Sequence, residues 1–480
     1  MTAGRTLART ATAEHVLWPS LELGLPSTHT MSLTRTGDDL NVLTHKARMA
    51  DTLPEIKHVV LLMLENRSFD HMLGGLPGVN GASAAWTNSD AERSYAQTPI
   101  ERWEQDDERA VDPDPKHETS NLLRQMQNNN TGFVADYAEE YPETTPAQRQ
   151  KIMSYYPHKA LGPLHTLATN FAICQRWHAS VPGPTWTNRL FALSGTSLGR
   201  VLMPGAPNYG QPSLFFRLFQ AGRSCRIYYG DTPLALLFDD QRVGDEAAGY
   251  DPRANYYHFV LFEHAASGKE KNFPDFTLIE PRYLGFAPND DHPPHDPFNG
   301  QRLIARVYNA LRANAALWKT TLLVILYDEH GGFADHVPPP TGVPPDDHRE
   351  EYAFDRLGIR VPVVLVSPWL ARQVVDAPCD HTSLLRSLTE KWGLGSMGAR
   401  TAQATDVLAQ LQRAPAFRTD TPKKIGVGLP GDSASPELNT DHKRAVVQLA
   451  EYLDPTPGLT PRQRTENFLA KGSAVSIESP

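Results

Sequence analysis

The run Ile56-Lys57-His58-Val59-Val60-Leu61-Leu62-Met63-Leu64, continuing without a break into Glu65-Asn66-Arg67-Ser68-Phe69-Asp70-His71, decides the fold. A half-exposed strand alternates apolar and polar residues, whereas a strand covered on both faces is apolar throughout, as this one nearly is. Residues 320–327 repeat the pattern and stop abruptly at Asp328-Glu329. A third run, Ile-Arg-Val-Pro-Val-Val-Leu-Val-Ser over residues 359–367, is bounded by Pro368. All three fit central parallel strands. Between and beyond the last two, apolar residues recur at three- and four-residue spacing over 301–317 and 381–392, which predicts helices. Strands alternating with helices predict an α/β fold. Its form is a doubly wound, mostly parallel central sheet with helices on both faces and ligands beyond the carboxyl ends of the strands.

Outward from this centre the chain divides by composition. Residues 1–54 are polar, lack a sustained period and end at Pro54, and so read as an N-terminal extension. Residues 55–400 carry the strand and helix pattern, with the polar, Pro-rich regions 87–150 and 200–275 expected as insertions roofing the sheet. The stretch 398–440 has linker-like composition, 441–453 reads as an amphipathic helix, and a Pro-rich segment follows. Residues 401–480 are therefore expected to be a helical and irregular tail.

A chain of 480 residues suits one large α/β domain or two ordinary ones. Forty-six Lys and Arg against 55 Asp and Glu leave a formal charge of −9, which offers no extended basic surface for nucleic acid. Cys174, Cys225 and Cys379 are far apart, form no Cys-x-x-Cys pair, and read as small core residues. No apolar run is long enough for a membrane-spanning helix. The apolar stretch near the N-terminus is interrupted by Glu14, His15 and Pro19, so no signal peptide is recognised and a cytoplasmic location is expected. Export by a dedicated secretion machine would leave no trace in these residues.

Chemistry gathers where the strands stop. Glu65 and Asn66 place two hard oxygen ligands at one strand end, suited to a divalent cation; a polar turn capping the next helix is the competing reading. Asp328-Glu329-His330-Gly331-Gly332-Phe333-Ala334-Asp335-His336 crowds acidic groups and imidazoles around two glycines, which a cation would neutralise. In Val181-Pro182-Gly183-Pro184-Thr185-Trp186, Thr185 falls at the start of an apolar helix, where anions are favoured. Its hydroxyl is either an N-cap or, bound to a cation, a nucleophile. His117 and His292 lie in Pro-rich loops that can aim an imidazole at a phosphate. His381 follows Asp380 at a helix start.

Taken together, segments 65–74, 171–197, 276–283, 291–340, 354–370 and 380–394 resemble the bacterial phosphoesterase family of phosphatidylcholine-type phospholipases C and acid phosphatases, whose core is alkaline-phosphatase-like. That resemblance implies a metal-dependent hydrolase of phosphate esters. By it, Glu65, Asn66, Thr185, Asp328 and Glu329 match metal-binding positions and Thr185 matches the nucleophile. His117 and His292 match catalytic histidines around the phosphate, while His336 and His381 are expected near the substrate. Glu280 lies in a family motif without an evident role. The sequence departs from the family at Thr187, where Pro is usual, and at Ala334, where an aromatic is usual; both bear on substrate preference.

Oxygen ligands without thiolates favour Ca²⁺, Mg²⁺ or Mn²⁺, and the histidines also suit Zn²⁺. The expected partner is a phosphate-ester substrate, a phospholipid head group included. A choline group would need an aromatic cage, for which Tyr155, Tyr156, Trp186, Tyr228, Tyr229, Tyr256 and Tyr257 are candidates. The competing reading of the whole chain is a catalytically inactive phosphate- or lipid-binding module.

Overall fold

A computed structural model describes residues 53–203, 207–245, 247–426 and 440–471. Nearly all of the N-terminal extension, residues 427–439 of the linker-like stretch and residues 472–480 lie outside them. An eight-stranded sheet runs through the centre. Its strands are β1 (His58–Leu64), β2 (Ala172–Cys174), β3 (Cys225–Tyr229), β4 (Tyr256–His258), β5 (Phe276–Glu280), β6 (Thr321–Tyr327), β7 (Val363–Val366) and β8 (Gln373–Val375). They lie side by side in the order β8-β2-β7-β6-β1-β5-β3-β4. Strands β6, β1, β5, β3 and β4 are mutually parallel. All seven residues of β1 are buried. Truncating one of its leucines, such as Leu62→Ala, would cost about 2–5 kcal/mol by leaving a cavity.

Two sequence expectations need correction. Strand β7 is antiparallel to both β6 and β2. Burial on both faces makes a strand apolar but says nothing about its direction. An antiparallel neighbour needs no crossover, so the whole segment from Asp328 to Pro362 starts and finishes at the end of the sheet where β6 finishes. The region 200–275 is also more than a roof, because it contributes β3 and β4 to the sheet edge. These strands are only five and three residues long and are rich in tyrosine, so no long apolar run announces them.

Among the helices, α1 (Phe69–Leu73) is capped by Ser68, whose hydroxyl accepts the His71 N–H. Helix α2 (Thr185–Ser194) follows Pro184, is buried along its entire length and stops at Gly195 in the left-handed region. Helix α3 (Pro297–Ala313) starts earlier than its apolar spacing suggests. Asp296 caps it with Pro297 in its first turn, and it ends at Asn314, which caps a separate short turn. Helix α4 (His381–Trp392) matches the expected range and begins at a capping box made by Asp380 and Ser383. Helices α5 (Asp441–Leu453) and α6 (Pro461–Ala470) pack on each other. The three cysteines are buried and unpaired. No helix among the described residues is long and apolar enough to cross a membrane.

Candidate active site

Parallel pairing of β1 with β6 sets Leu64 opposite Tyr327, so Glu65 and Asp328 leave the sheet side by side. The two loops interlock. The Asn66 N–H donates to Asp328 Oδ1 at 3.3 Å, and the Arg67 N–H to the Glu329 carbonyl at 3.0 Å. Asn66 has φ +58 and turns the chain sharply. Gly331 has φ +62, and a Cβ there would stand 2.1 Å from the Asn66 carbonyl oxygen, so only glycine allows the approach.

Arg189 holds the acids together. One turn beyond Thr185 on α2, it donates to Glu65 Oε1 and to Asp328 Oδ2, both at 2.9 Å. Its third carboxylate, Glu280, lies at 3.5 Å. The Glu280 carboxylate also accepts the Leu234 and Ala235 N–H groups and the Tyr283 hydroxyl, which gives this residue an anchoring place at the end of β5. Burial pushes the Glu65 and Asp328 carboxyls above the usual carboxylate range, and Arg189 opposes the shift. Burial works in the same direction on Glu329, but His117, His330 and the Gly331 N–H outweigh it and hold that group below its ordinary value.

His117 and His292 face each other with ring centroids 5.6 Å apart. Each Nδ1 lies on a backbone carbonyl, Pro115 at 2.9 Å and Pro293 at 2.6 Å. A carbonyl only accepts, so Nδ1 carries the hydrogen in both and Nε2 points into the site. The His117 Nε2 lies 3.1 Å from the Asn66 amide and 4.0 Å from Glu329 Oε1. Burial opposes its charging, yet Glu329, Glu118 and Asp114 raise its pKa to about 9. Burial and the neighbouring imidazoles drive His292 well below its ordinary value. The two imidazoles are thereby pushed apart in proton affinity, the arrangement an acid and base pair requires.

A cation must be tested against the atoms left over. Glu65 Oε2, Asn66 Oδ1, Thr185 Oγ1, Glu329 Oε1 and His292 Nε2 are buried and have no hydrogen-bond partner. Such groups cost about 1–3 kcal/mol each unless something satisfies them. Four of the five are hard oxygens on the segments that meet at the ends of β1 and β6 and at the start of α2. They fit a divalent cation and an anionic ligand.

Among the described residues, one trio of carboxylate and imidazole ligand atoms falls within 4.8 Å of one another, that of Asp70, Asp335 and His336. Its oxygens are already taken. Arg360 donates to Asp70 Oδ1 at 2.9 Å and to Asp335 Oδ1 at 2.8 Å, and Asp335 Oδ2 accepts the Asp70 N–H at 3.1 Å. Asp70 Oδ2 accepts from Gln97 and from the His336 backbone N–H, both at 2.9 Å, and lies 2.7 Å from His336 Nδ1. This is an internally neutralised ion cluster rather than an open metal site.

The structure therefore brings Glu65, Asn66, Asp328, Glu329, His117 and His292 together by direct contacts and places Thr185 one turn before their shared arginine. His336 belongs to the Arg360 cluster, its other ring nitrogen 3.1 Å from Asn80 Oδ1. His381 lies 2.6 Å from the Asp328 carbonyl through Nε2 and accepts the Trp177 indole N–H at 3.1 Å through Nδ1. With both nitrogens engaged it fixes the loop that carries Asp328 and has none left for a substrate. The tyrosines do not form one cage: Tyr228 and Tyr229 are successive residues of β3 and so point to opposite faces of the sheet, each against its own β4 partner.

Sequence reasoning missed Arg189 and His442. His442, on α5, lies with Nε2 3.1 Å from Glu65 Oε2. The available signal was a lone histidine on the apolar stripe of a helix whose other buried residues are Ala445, Val446, Leu449, Ala450 and Leu453.

The phosphoesterase family pattern matches residues 56–395. The chain belongs to the phosphoesterase family. It is an enzyme acting on phosphate esters, which is what the resemblance of its motifs implied. Similar proteins include non-specific phospholipase C6 of Arabidopsis thaliana, 33% identical, with 83% of this chain and 81% of the relative covered. The non-hemolytic phospholipase C of Pseudomonas aeruginosa is 28% identical over 72% of this chain and 55% of its own length. Phospholipase C A of Mycobacterium tuberculosis is 26% identical, covering 71% and 74%. Among solved structures, a Vibrio parahaemolyticus protein in the alkaline phosphatase superfamily aligns with TM-score 0.32 and 9% identity over 91% of this chain and 96% of that one.

Proposed function

We propose that this phosphoesterase is a metal-dependent hydrolase of the phospholipase C type, with Thr185 as its nucleophile. The observation that carries the reading is the wholly buried Thr185 hydroxyl, without a hydrogen-bond partner, at the N-terminus of a ten-residue helix whose Arg189, one turn on, binds both Glu65 and Asp328. Glu65, Asn66, Thr185, Asp328 and Glu329 would hold the cation. When bound, that cation supplies positive charge that lowers the pKa of the threonine hydroxyl and screens the phosphate oxygens from the incoming nucleophile.

The protein groups do the rest. Thr185 Oγ1 forms a bond to phosphorus as the bond to the leaving alcohol breaks, and the positive end of α2 favours the anion. His117, which holds its proton above neutral pH, gives it to the departing alcohol oxygen. His292, neutral with a free Nε2 lone pair, takes the Thr185 hydroxyl proton as the bond to phosphorus forms. In the second half His117, now neutral, takes a proton from the water that attacks phosphorus, and His292 returns its proton to the departing Thr185 oxygen, so both imidazoles regain their starting state. The phospholipase C relatives favour a phosphodiester with a lipid leaving group over a phosphomonoester.

A panel of phosphatidylcholine, sphingomyelin and a chromogenic phosphomonoester, each with and without EDTA, tests this reading. Cleavage of the diesters that EDTA abolishes and divalent metal restores supports it. Unaltered turnover in metal-stripped protein rejects metal dependence, and turnover of the monoester alone rejects the phospholipase reading.

A further inference from the structure

We infer that His442, supplied by the C-terminal helix α5, is a third imidazole that contacts the phosphate in the active site, so that residues beyond the matched family segment complete the enzyme. The inference rests on the phosphate-ester reading above and deepens it.

Helix α5 buries a face of Ala445, Val446, Leu449, Ala450 and Leu453, and His442 extends that face at its first turn. An imidazole placed there for packing alone would turn its nitrogens toward a carbonyl or hydroxyl, as His58, His165 and His381 do elsewhere in this chain. His442 does neither. It is 1% exposed, and both its ring nitrogens lack a hydrogen-bond partner.

Its surroundings belong to the catalytic centre. The ring stacks on His292 with centroids 5.2 Å apart and planes 28° apart, and packs edge-on against Tyr283 at 5.2 Å. Its Nε2 stands 3.1 Å from Glu65 Oε2, an oxygen that itself has no hydrogen bond. The preceding residue ties the helix to the loop that carries His117: Asp441 Oδ2 accepts from Lys116 Nζ at 2.6 Å. His117, His292 and His442 thus form a continuous row of rings, with centroids 5.6 and 5.2 Å apart, His117 Nε2 lying against Asn66 and His442 Nε2 against Glu65, two of the groups that would hold the cation. A tetrahedral phosphate offers several oxygens. Hydrogen-bond donors aimed at oxygens that gain charge in the transition state lower the barrier, and losing one costs about 10²–10³-fold in rate.

The imidazole donates from one nitrogen to a phosphate oxygen. No bond is made or broken by His442 itself.

The test uses the full-length metal-loaded protein with a chromogenic phosphate ester as substrate and inorganic phosphate as competing ligand. His442→Ala should lower kcat by about 10²-fold with a smaller change in KM, and raise the inhibition constant of inorganic phosphate by about tenfold. His442→Gln keeps an amide donor and should fall between alanine and wild type in both. Lys443→Ala, the next residue on the same helix, should match wild type. A purely packing role would lower the melting temperature and leave kcat and phosphate inhibition at wild-type values in the folded fraction, which overturns the inference. If His442→Ala does not fold, His442→Gln decides: a phosphate inhibition constant raised about threefold or more supports the contact, and wild-type values overturn it. Absence of turnover in the wild type with every divalent metal and ester would instead reject the underlying phosphoesterase reading.

Discussion

Arg189 Nη2 donates to Glu65 Oε1 at 2.9 Å, and both side chains are almost wholly removed from water. The same guanidinium reaches Asp328 through Nε at 2.9 Å, so one cation spaces the acids that follow β1 and β6.

Removing that cation should be costly. Arg189→Met leaves Glu65 and Asp328 buried without a counter-charge, and equilibrium unfolding in urea should show a loss of about 3–5 kcal/mol. Arg189→Lys, which cannot span both carboxylates, should lose less stability but still lower kcat/KM, because the two acids are no longer held in register.

Gly331→Ala should disable the site with little change to the sheet. Its Cβ would collide with the Asn66 carbonyl, and the φ of +62 adds strain. The strain alone costs on the order of 1–3 kcal/mol, and the loops carrying Asn66 and Glu329 would separate. Far-ultraviolet circular dichroism should be preserved while turnover falls at least about 10²-fold.

Acid should unfold the protein partly through His165. Its Nδ1 accepts the Lys159 N–H at 3.0 Å and its Nε2 lies 2.7 Å from the Met72 carbonyl, a pattern open only to the neutral ring. Burial, with His158 nearby, lowers its pKa from 6.5 to about 4. The unfolded chain therefore binds the extra proton first. The stability is fully present above pH 6.5 and is lost as pH falls toward 4, by roughly 3 kcal/mol in all. Urea unfolding across this window should show that slope in the wild type and a flatter one in His165→Gln.

The sequence made some of this legible and hid the rest for physical reasons. Strands β1 and β6 announce themselves because both faces are covered, and the acids at their ends stand out against apolar runs. Thr185 is found because Pro and Gly mark the helix start. The direction of β7 is hidden because apolar content is the same either way. Arg189 looks like any helical arginine until its four-residue spacing from Thr185 meets the acids of distant loops. His442 lies past a stretch of linker-like composition, and only tertiary packing reveals that the helix behind it returns to Glu65. His336 is close in sequence to Asp328 yet pairs with Asp70, since the glycines between them let the chain turn away.

The central claim is that the Thr185 oxygen attacks phosphorus, and trapping the intermediate tests it most directly. Metal-loaded enzyme mixed with a phosphate ester that leaves a monophosphate on the protein, quenched in acid within one turnover and digested, should yield phosphate on the peptide containing Thr185 and none in Thr185→Ala. Phosphate on another residue, or full turnover by the alanine variant, would contradict the account.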